Sequence, residues 1–277
     1  MRSTARAARD GEAAGVADLR RKLATRGENV RAVPASARIH AALRDEIVAM
    51  TLPPGGALQE KQIALAYGVS RTPVREAILK LADERLVDIF PQYGTFVSRI
   101  SVPEVRDAMV IRNALERTTV REAAARVAAA PSADRRALVA PLHTHLRQQR
   151  EAHRARALTD FHAADEDFHQ AIAELAGHPN IWRVIRQEKT HVDRCRLLTL
   201  PSPQRRSSVI AEHALVADAI AAGDADAAEK NMAAHLGRVI PSVEALVAAH
   251  PDYFEQGPDP AVAANEAAEP PLVAKAR

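Results

Sequence analysis

Along "SARIHAALRDEIVAM", Ile39, Leu43 and Ile47 fall four positions apart, a spacing that lines one face of a helix. "TLPPGG" ends that helix. "QEKQIALAYG" reads as a second, short helix with Gly68 at its C-terminal stop, and "VSRTPVREAILKLADERL" as a third. In the third, Val74, Ile78 and Leu81 lie inward while Arg71 and Arg75 do not. Pro73 fits only in the first turn, where its missing N–H has no partner to lose. The period then changes. "LVDIF" and "TFVSRI" are strand-like runs joined by "PQYG", a turn containing Pro91 and Gly94. Three short helices followed by a hairpin predict a winged helix-turn-helix.

Beyond the hairpin only helical periods remain. "SVPE" reads as a capping box formed by Ser101 and Glu104, with Pro103 in the first turn. Breaks at "APSAD", near "LTD", at "AGHPN", at "LPSPQ" and at "AGDAD" divide the rest into about six helices. Ser132 and Asp224 are the expected N-caps, and Gly177 and Gly223 the expected stops. The fold class is therefore mostly α, a winged helix-turn-helix followed by an all-helical bundle. Boundaries are expected at 1–34 for a disordered basic tail, 35–100 for the first domain, 101–250 for the second and 251–277 for a second disordered tail. That last segment holds five prolines and no sustained period.

Composition agrees. Aromatics are only 3% of 277 residues against 47% hydrophobic overall, so Ala, Leu, Val and Ile must build the cores. The single cysteine, Cys195, excludes an intramolecular disulfide and a thiolate metal cluster. No apolar run is long enough for a membrane span or a signal peptide, so a cytoplasmic protein is expected. The net charge of +3 is uneven. Residues 1–34 hold eight Lys/Arg against four Asp/Glu, which suits an anionic partner or simply a solvated tail.

In a helix-turn-helix the first residues of the second helix reach base edges in the major groove. An arginine fork donates twice to guanine O6 and N7, so Arg71 and Arg75 are placed for bases or adjacent phosphates. Ser70 and Thr72 add hydroxyls at a helix start that itself attracts phosphate. Lys61, at the start of the preceding helix, suits a backbone phosphate.

In the second domain, Asp165 and His169 are four apart and share a helix face. His213 and His235 stand inside later helical patterns. Three imidazoles and a carboxylate suit Zn(II), Ni(II) or Mn(II). The spacing alone carries little, because the chain has 11 histidines and His162 with Glu166 offers a competing pair.

These motifs carry a resemblance. "LPPG", "GVSRTPVREA" and "YGTFV", within residues 36–100, resemble the DNA-binding domain of GntR-family bacterial transcriptional regulators. Residues 101–245, through "VIRNALE", "DEDFHQAIAELAGHPNI" and "EHALVADAIAAGDADAAEKNMAAHL", are similar to the FCD effector domain of the FadR-like branch. The resemblance implies DNA contacts by Arg71, Arg75, the Ser70 and Thr72 hydroxyls and the wing tip near Gly94. Lys61 stands where some members carry arginine. It also implies a metal, zinc first, on Asp165, His169, His213 and His235, and effector-facing roles for Arg112 and Arg194.

The expected protein is a homodimeric regulator that binds a short palindromic double-stranded DNA operator and responds to a small carboxylate effector. Repression relieved by the effector is the commoner outcome in similar proteins. Two rivals remain at this stage: a metal-dependent hydrolase, and an architectural DNA-binding protein without an effector.

Overall fold

Helix α1 (Ala35–Val48) buries Ile39, Leu43 and Ile47 on one face, as their spacing predicts. Helix α2 (Glu60–Tyr67) stops at Gly68, whose φ of +63° is the left-handed conformation that glycine adopts without Cβ strain. Helix α3 (Arg71–Asp83) buries Val74, Ala77, Ile78 and Leu81 against α1, with Pro73 in its first turn. Strands β1 (Val87–Phe90) and β2 (Gly94–Val97) pair antiparallel with Val87 opposite Val97. The extended stretch before α2 adds to this hairpin through Leu58 N–H to Thr95 O and Val97 N–H to Gly56 O, both 2.8 Å. Leu86, Val87 and Val97 close the small core beneath the helices. The structure is a computed structural model that describes residues 33–240 and 243–255.

The remaining helices are α4 (Val102–Ala129), α5 (Ser132–Ala155), α6 (Leu158–Leu175), α7 (Pro179–Glu188) and α8 (Thr190–Thr199). They continue as α9 (Pro203–Ala222), α10 (Ala225–Leu236) and α11 (Val243–Ala249). Helices α4, α5, α6, α9 and α10 surround a core that includes Val120, Leu142, Phe168, Ile172, Val216, Ile220 and Met232. Among the described residues, eight helices stand where about six were expected. The additional break at Lys189 carries no Gly or Pro to announce it, and α11 is a short piece after the main bundle.

Capping is mixed. Asp224 caps α10 by accepting from Ala227 N–H at 2.9 Å, and Gly223 ends α9 with φ +74°. Ser101 makes no side-chain cap. Its capping-box partner Glu104 turns instead to Arg85 at 2.6 Å and His191 at 2.9 Å. Ser132 is inside α5, with Pro131 at the cap position.

The two units meet along a polar seam. Arg194 Nη2 donates to Ser98 O at 2.7 Å, and Arg44 Nη2 donates to Thr190 Oγ1 at 3.3 Å. A turn at Pro251–Tyr253 returns to this seam, where Ile100 N–H donates to Tyr253 O at 2.8 Å and Phe254 is buried. Residues 251–255, the start of the segment expected as a tail, take part in this turn and its contacts. The tails expected at 1–32 and 256–277 lie outside the described residues.

Candidate metal centre and nucleic-acid interface

Helix α6 presents Asp165 and His169 one turn apart, α9 presents His213 and α10 presents His235. All four are buried, and ligand atoms of the three histidines lie within 4.8 Å of one another. His213 Nε2 is 3.2 Å from His235 Nε2 and 3.8 Å from Asp165 Oδ1. His169 Nε2 is 3.9 Å from Asp165 Oδ2. The sequence-predicted quartet is therefore brought together.

What the opposite ring nitrogens touch decides how this set is protonated. His235 Nδ1 faces the Glu212 carboxylate at 2.8 Å, and His169 Nδ1 faces that of Glu116 at 2.5 Å. His213 Nδ1 faces Gln149 Oε1 at 3.0 Å. That amide is oriented by its own Nε2–H donating to Ala164 O at 3.2 Å. Each partner is an acceptor, so each Nδ1 carries a proton, and in a neutral ring the lone pair then lies on Nε2. Burial, followed by the charges of neighbouring histidines, pushes His213 and His235 well below the usual histidine range, so both are neutral. Two neutral Nε2 atoms facing each other at 3.2 Å leave both lone pairs for a common cation. Nitrogens ligating one ion at ~2.1 Å with a tetrahedral or octahedral angle are about 3.0–3.4 Å apart. The donor set fits a borderline divalent metal.

Arg196 in α8 places Nη2 2.7 Å from Asp165 Oδ2. Burial would raise the Asp165 pKa, but Arg196 and the histidines outweigh it and hold the carboxyl well below the usual range. Arg112 donates from Nε to Glu116 Oε1 at 2.6 Å, and its buried Nη1 and Nη2 find no hydrogen-bond acceptor among the described residues. Glu116 is likewise held low against its burial by Arg112 and His169.

Arg194 differs from the expectation. It lies two residues before Arg196, about 200° away around α8, so the two arginines face opposite ways. Arg194 serves the seam through Ser98 O, and Arg196 takes the place beside the ligand set. Burial lowers the Arg194 pKa to about 10. Four residues of the centre went unassigned from sequence: Glu116, Gln149, Arg196 and Glu212. The i,i+4 pairing of Arg112 with Glu116 was a readable signal, and Glu212 adjoins His213. Gln149 carries no sequence mark.

The competing pair His162 and Glu166 gathers with Asp193, but Lys189 Nζ already sits there, 2.6 Å from Glu166 and 2.5 Å from Asp193. An ammonium fills that cation position. Cys195 is buried with its thiol pushed up to about 12 by burial, as a packing residue would be.

At the other end of the molecule, Lys61, Ser70, Arg71, Thr72, Arg75 and Gly94 are all exposed. Arg71 and Arg75 project from the first turns of α3, and Gly94, with φ +131°, begins β2 after the turn that holds the exposed Tyr93.

A family model described as "Bacterial regulatory proteins, gntR family" matches residues 35–97, and the FCD domain model matches 107–238. An HTH-type transcriptional regulator from an unstable DNA locus of Streptomyces ambofaciens is 36% identical over 216 residues, covering 78% of this chain and 88% of that protein. The chain belongs to the gntR family. The HTH-type transcriptional repressor RspR of Escherichia coli K12 is 33% identical over 223 residues, covering 80% of this regulator and 95% of RspR. Among solved structures, a putative GntR regulator from Rhodococcus sp. RHA1 superposes with a TM-score of 0.63 at 24% identity, covering 74% of this chain and 95% of its own. E. coli McbR/YncC gives 0.62 at 22%, covering 76% and 96%. These two likenesses speak for the fold.

The protein is thus a DNA-binding transcriptional regulator of the GntR/FCD type, and not an enzyme. The hydrolase alternative falls with that assignment. No helix among the described residues is long and apolar enough to cross a membrane.

Proposed function

We propose that this regulator reads a short palindromic operator as a homodimer and that a divalent metal with a small organic acid in the helical domain, residues 101–250, sets its affinity. The observation that carries the reading is the outward pointing of all three Nδ1 atoms to acceptors, which leaves three Nε2 atoms beside one carboxylate.

Asp165, His169, His213 and His235 would hold the ion, zinc first, with nickel or manganese as alternatives. The metal supplies a Lewis-acid anchor for an oxygen ligand. The buried, acceptor-free Nη1 and Nη2 of Arg112 suit a carboxylate, which they would clamp bidentately. Arg196, rather than Arg194, is the second arginine beside the ligand set. At the reading tip, Arg71 and Arg75 would take bases, Lys61, Ser70 and Thr72 phosphates, and the wing near Gly94 the adjacent groove. The repressor wording of the RspR relative supports repression as the default output.

An effector shifts operator affinity only by its differential affinity for two arrangements of the dimer, typically ~1–3 kcal/mol or roughly 5- to 150-fold. The test is a thermal-shift screen of organic acids with and without chelator. An acid present at 100 times its Kd adds about 2.7 kcal/mol of stability, and chelator should abolish that gain. If every acid is silent on metal-loaded protein, the effector reading fails. If chelator leaves the melt unchanged, the metal reading fails.

A further inference from the structure

The carboxylate of Glu60, in the first turn of α2, accepts from both arginines of the reading tip. Its Oε2 takes Arg71 Nη2 at 2.9 Å and Arg75 Nε at 3.0 Å. Both arginine side chains are 61% exposed and Glu60 is 23% exposed, so the triad sits on the surface at the reading tip proposed above. Burial pushes the Glu60 pKa up, but the two arginines outweigh it and hold the carboxyl below its usual range, so the bridge is charged at neutral pH.

Each guanidinium has five N–H donors in a rigid fork, and the bridge takes one from each. Arg75 is held through Nε, so its Nη1 and Nη2 stay free for the paired acceptors of a guanine edge. Without the bridge, both side chains are flexible stems that any phosphate could recruit. The carboxylate also takes one unit of positive charge away from a tip that carries Lys61, Arg71 and Arg75. Non-specific binding scales with the positive charge delivered to phosphates, whereas base readout scales with orientation. A bridging anion therefore acts on both terms in the same direction.

We propose that Glu60 is a positioning residue for DNA specificity: by bridging Arg71 and Arg75 it aims their free donors at base edges and weakens binding to unrelated sequence. This rests on the assignment of Arg71 and Arg75 as base-reading residues.

The test uses the full chain with two duplexes. One is selected from a random pool by the wild-type protein, and the other is a scramble of the same composition. Glu60→Gln, which keeps shape and removes charge, should bind the scramble several-fold tighter and the selected duplex no tighter, so the ratio falls about tenfold. Its salt slope on the scramble should steepen by about 1, the value of one further phosphate contact. Glu60→Asp keeps the charge but is one methylene short of bridging both arginines. It should keep the wild-type slope and still lose discrimination. In an Arg75→Ala background, Glu60→Gln should no longer change the ratio.

Equal tightening on both duplexes by Glu60→Gln would overturn the proposal, because the carboxylate would then only compete with DNA. An unchanged ratio with Glu60→Gln, while Arg75→Ala loses discrimination, overturns the Glu60 role alone. Wild-type discrimination by Arg75→Ala overturns the base-reading assignment, and the role of Glu60 with it. Matched melting curves establish that each variant is folded.

Discussion

Arg71 and Arg75 keep about three-fifths of their side-chain surface in water, whereas Asp165 and His213 keep none. The first pair is positioned by one helix and a single neighbour, Glu60. The second pair belongs to a set whose protonation and orientation come from α4, α5, α6, α8, α9 and α10. Water screens an exposed charge cheaply, so a reading tip can be written in ten consecutive residues. In the low-dielectric bundle every charge needs a partner, and the partners arrive from wherever the fold brings them.

The sharpest way to break this contrast is at Arg196, the buried partner of Asp165. Burial lowers the pKa of this guanidinium, but Asp165, Asp193 and Glu166 outweigh that and raise it, so it remains a cation. Removing one member of a buried ion pair leaves the other uncompensated, typically at ~3–5 kcal/mol. Arg196→Met should lose stability of that order in metal-free protein and much less once metal is added, because an ion would then neutralise Asp165. Denaturant melts with chelator and with zinc measure both. An equal loss in the two conditions would mean that Asp165 does not meet the metal.

Legibility followed the same contrast. The order of helix, short helix, glycine turn, Ser/Thr start and hairpin was readable because each mark is local: Gly68 in the left-handed region, Pro73 in a first turn, Val87 to Val97 in register. The four candidate ligands are visible as an i,i+4 pair and two later histidines, but their weight comes from resemblance. Gln149 was invisible, since its role exists only because α5 packs on α6 and α9. Arg194 and Arg196 are two positions apart, and sequence cannot say which face of α8 meets Asp165. The break at Lys189 was missed for the same reason. Helix α7 ends there without Gly or Pro, and the fully buried ammonium is held by Glu166 and Asp193.

The seam between the two regions offers a pH test. His191 accepts from Ser101 N–H at Nδ1 and faces Glu104 at Nε2, an arrangement for the neutral ring. Burial first, then Arg194 and Arg85, bring its pKa down to about 4, while Glu104 and Asp88 oppose them. In the unfolded chain the same ring titrates near ~6.5, so protonation favours unfolding. Its contribution is intact above that value and is lost as pH falls from ~6.5 toward 4, about 1–2 kcal/mol by pH 5. His191→Gln should flatten the stability profile over that window. A profile of unchanged slope would mean that His191 is not held neutral at the seam.

The remaining expected effects lie at the tip, where they separate its two kinds of cation. Arg75→Ala should cost ~1–3 kcal/mol on the selected duplex and relax the preference at one base position. Lys61→Ala should weaken selected and scrambled duplexes by the same factor and reduce the salt slope by about 1. The reason is geometric. A lysine ammonium is a point charge that follows any phosphate, while an arginine fork held by Glu60 has a direction. Binding titrations from 50 to 200 mM salt with both duplexes resolve the two behaviours. If Lys61→Ala changes base preference, Lys61 reads sequence, and its assignment to phosphate is wrong.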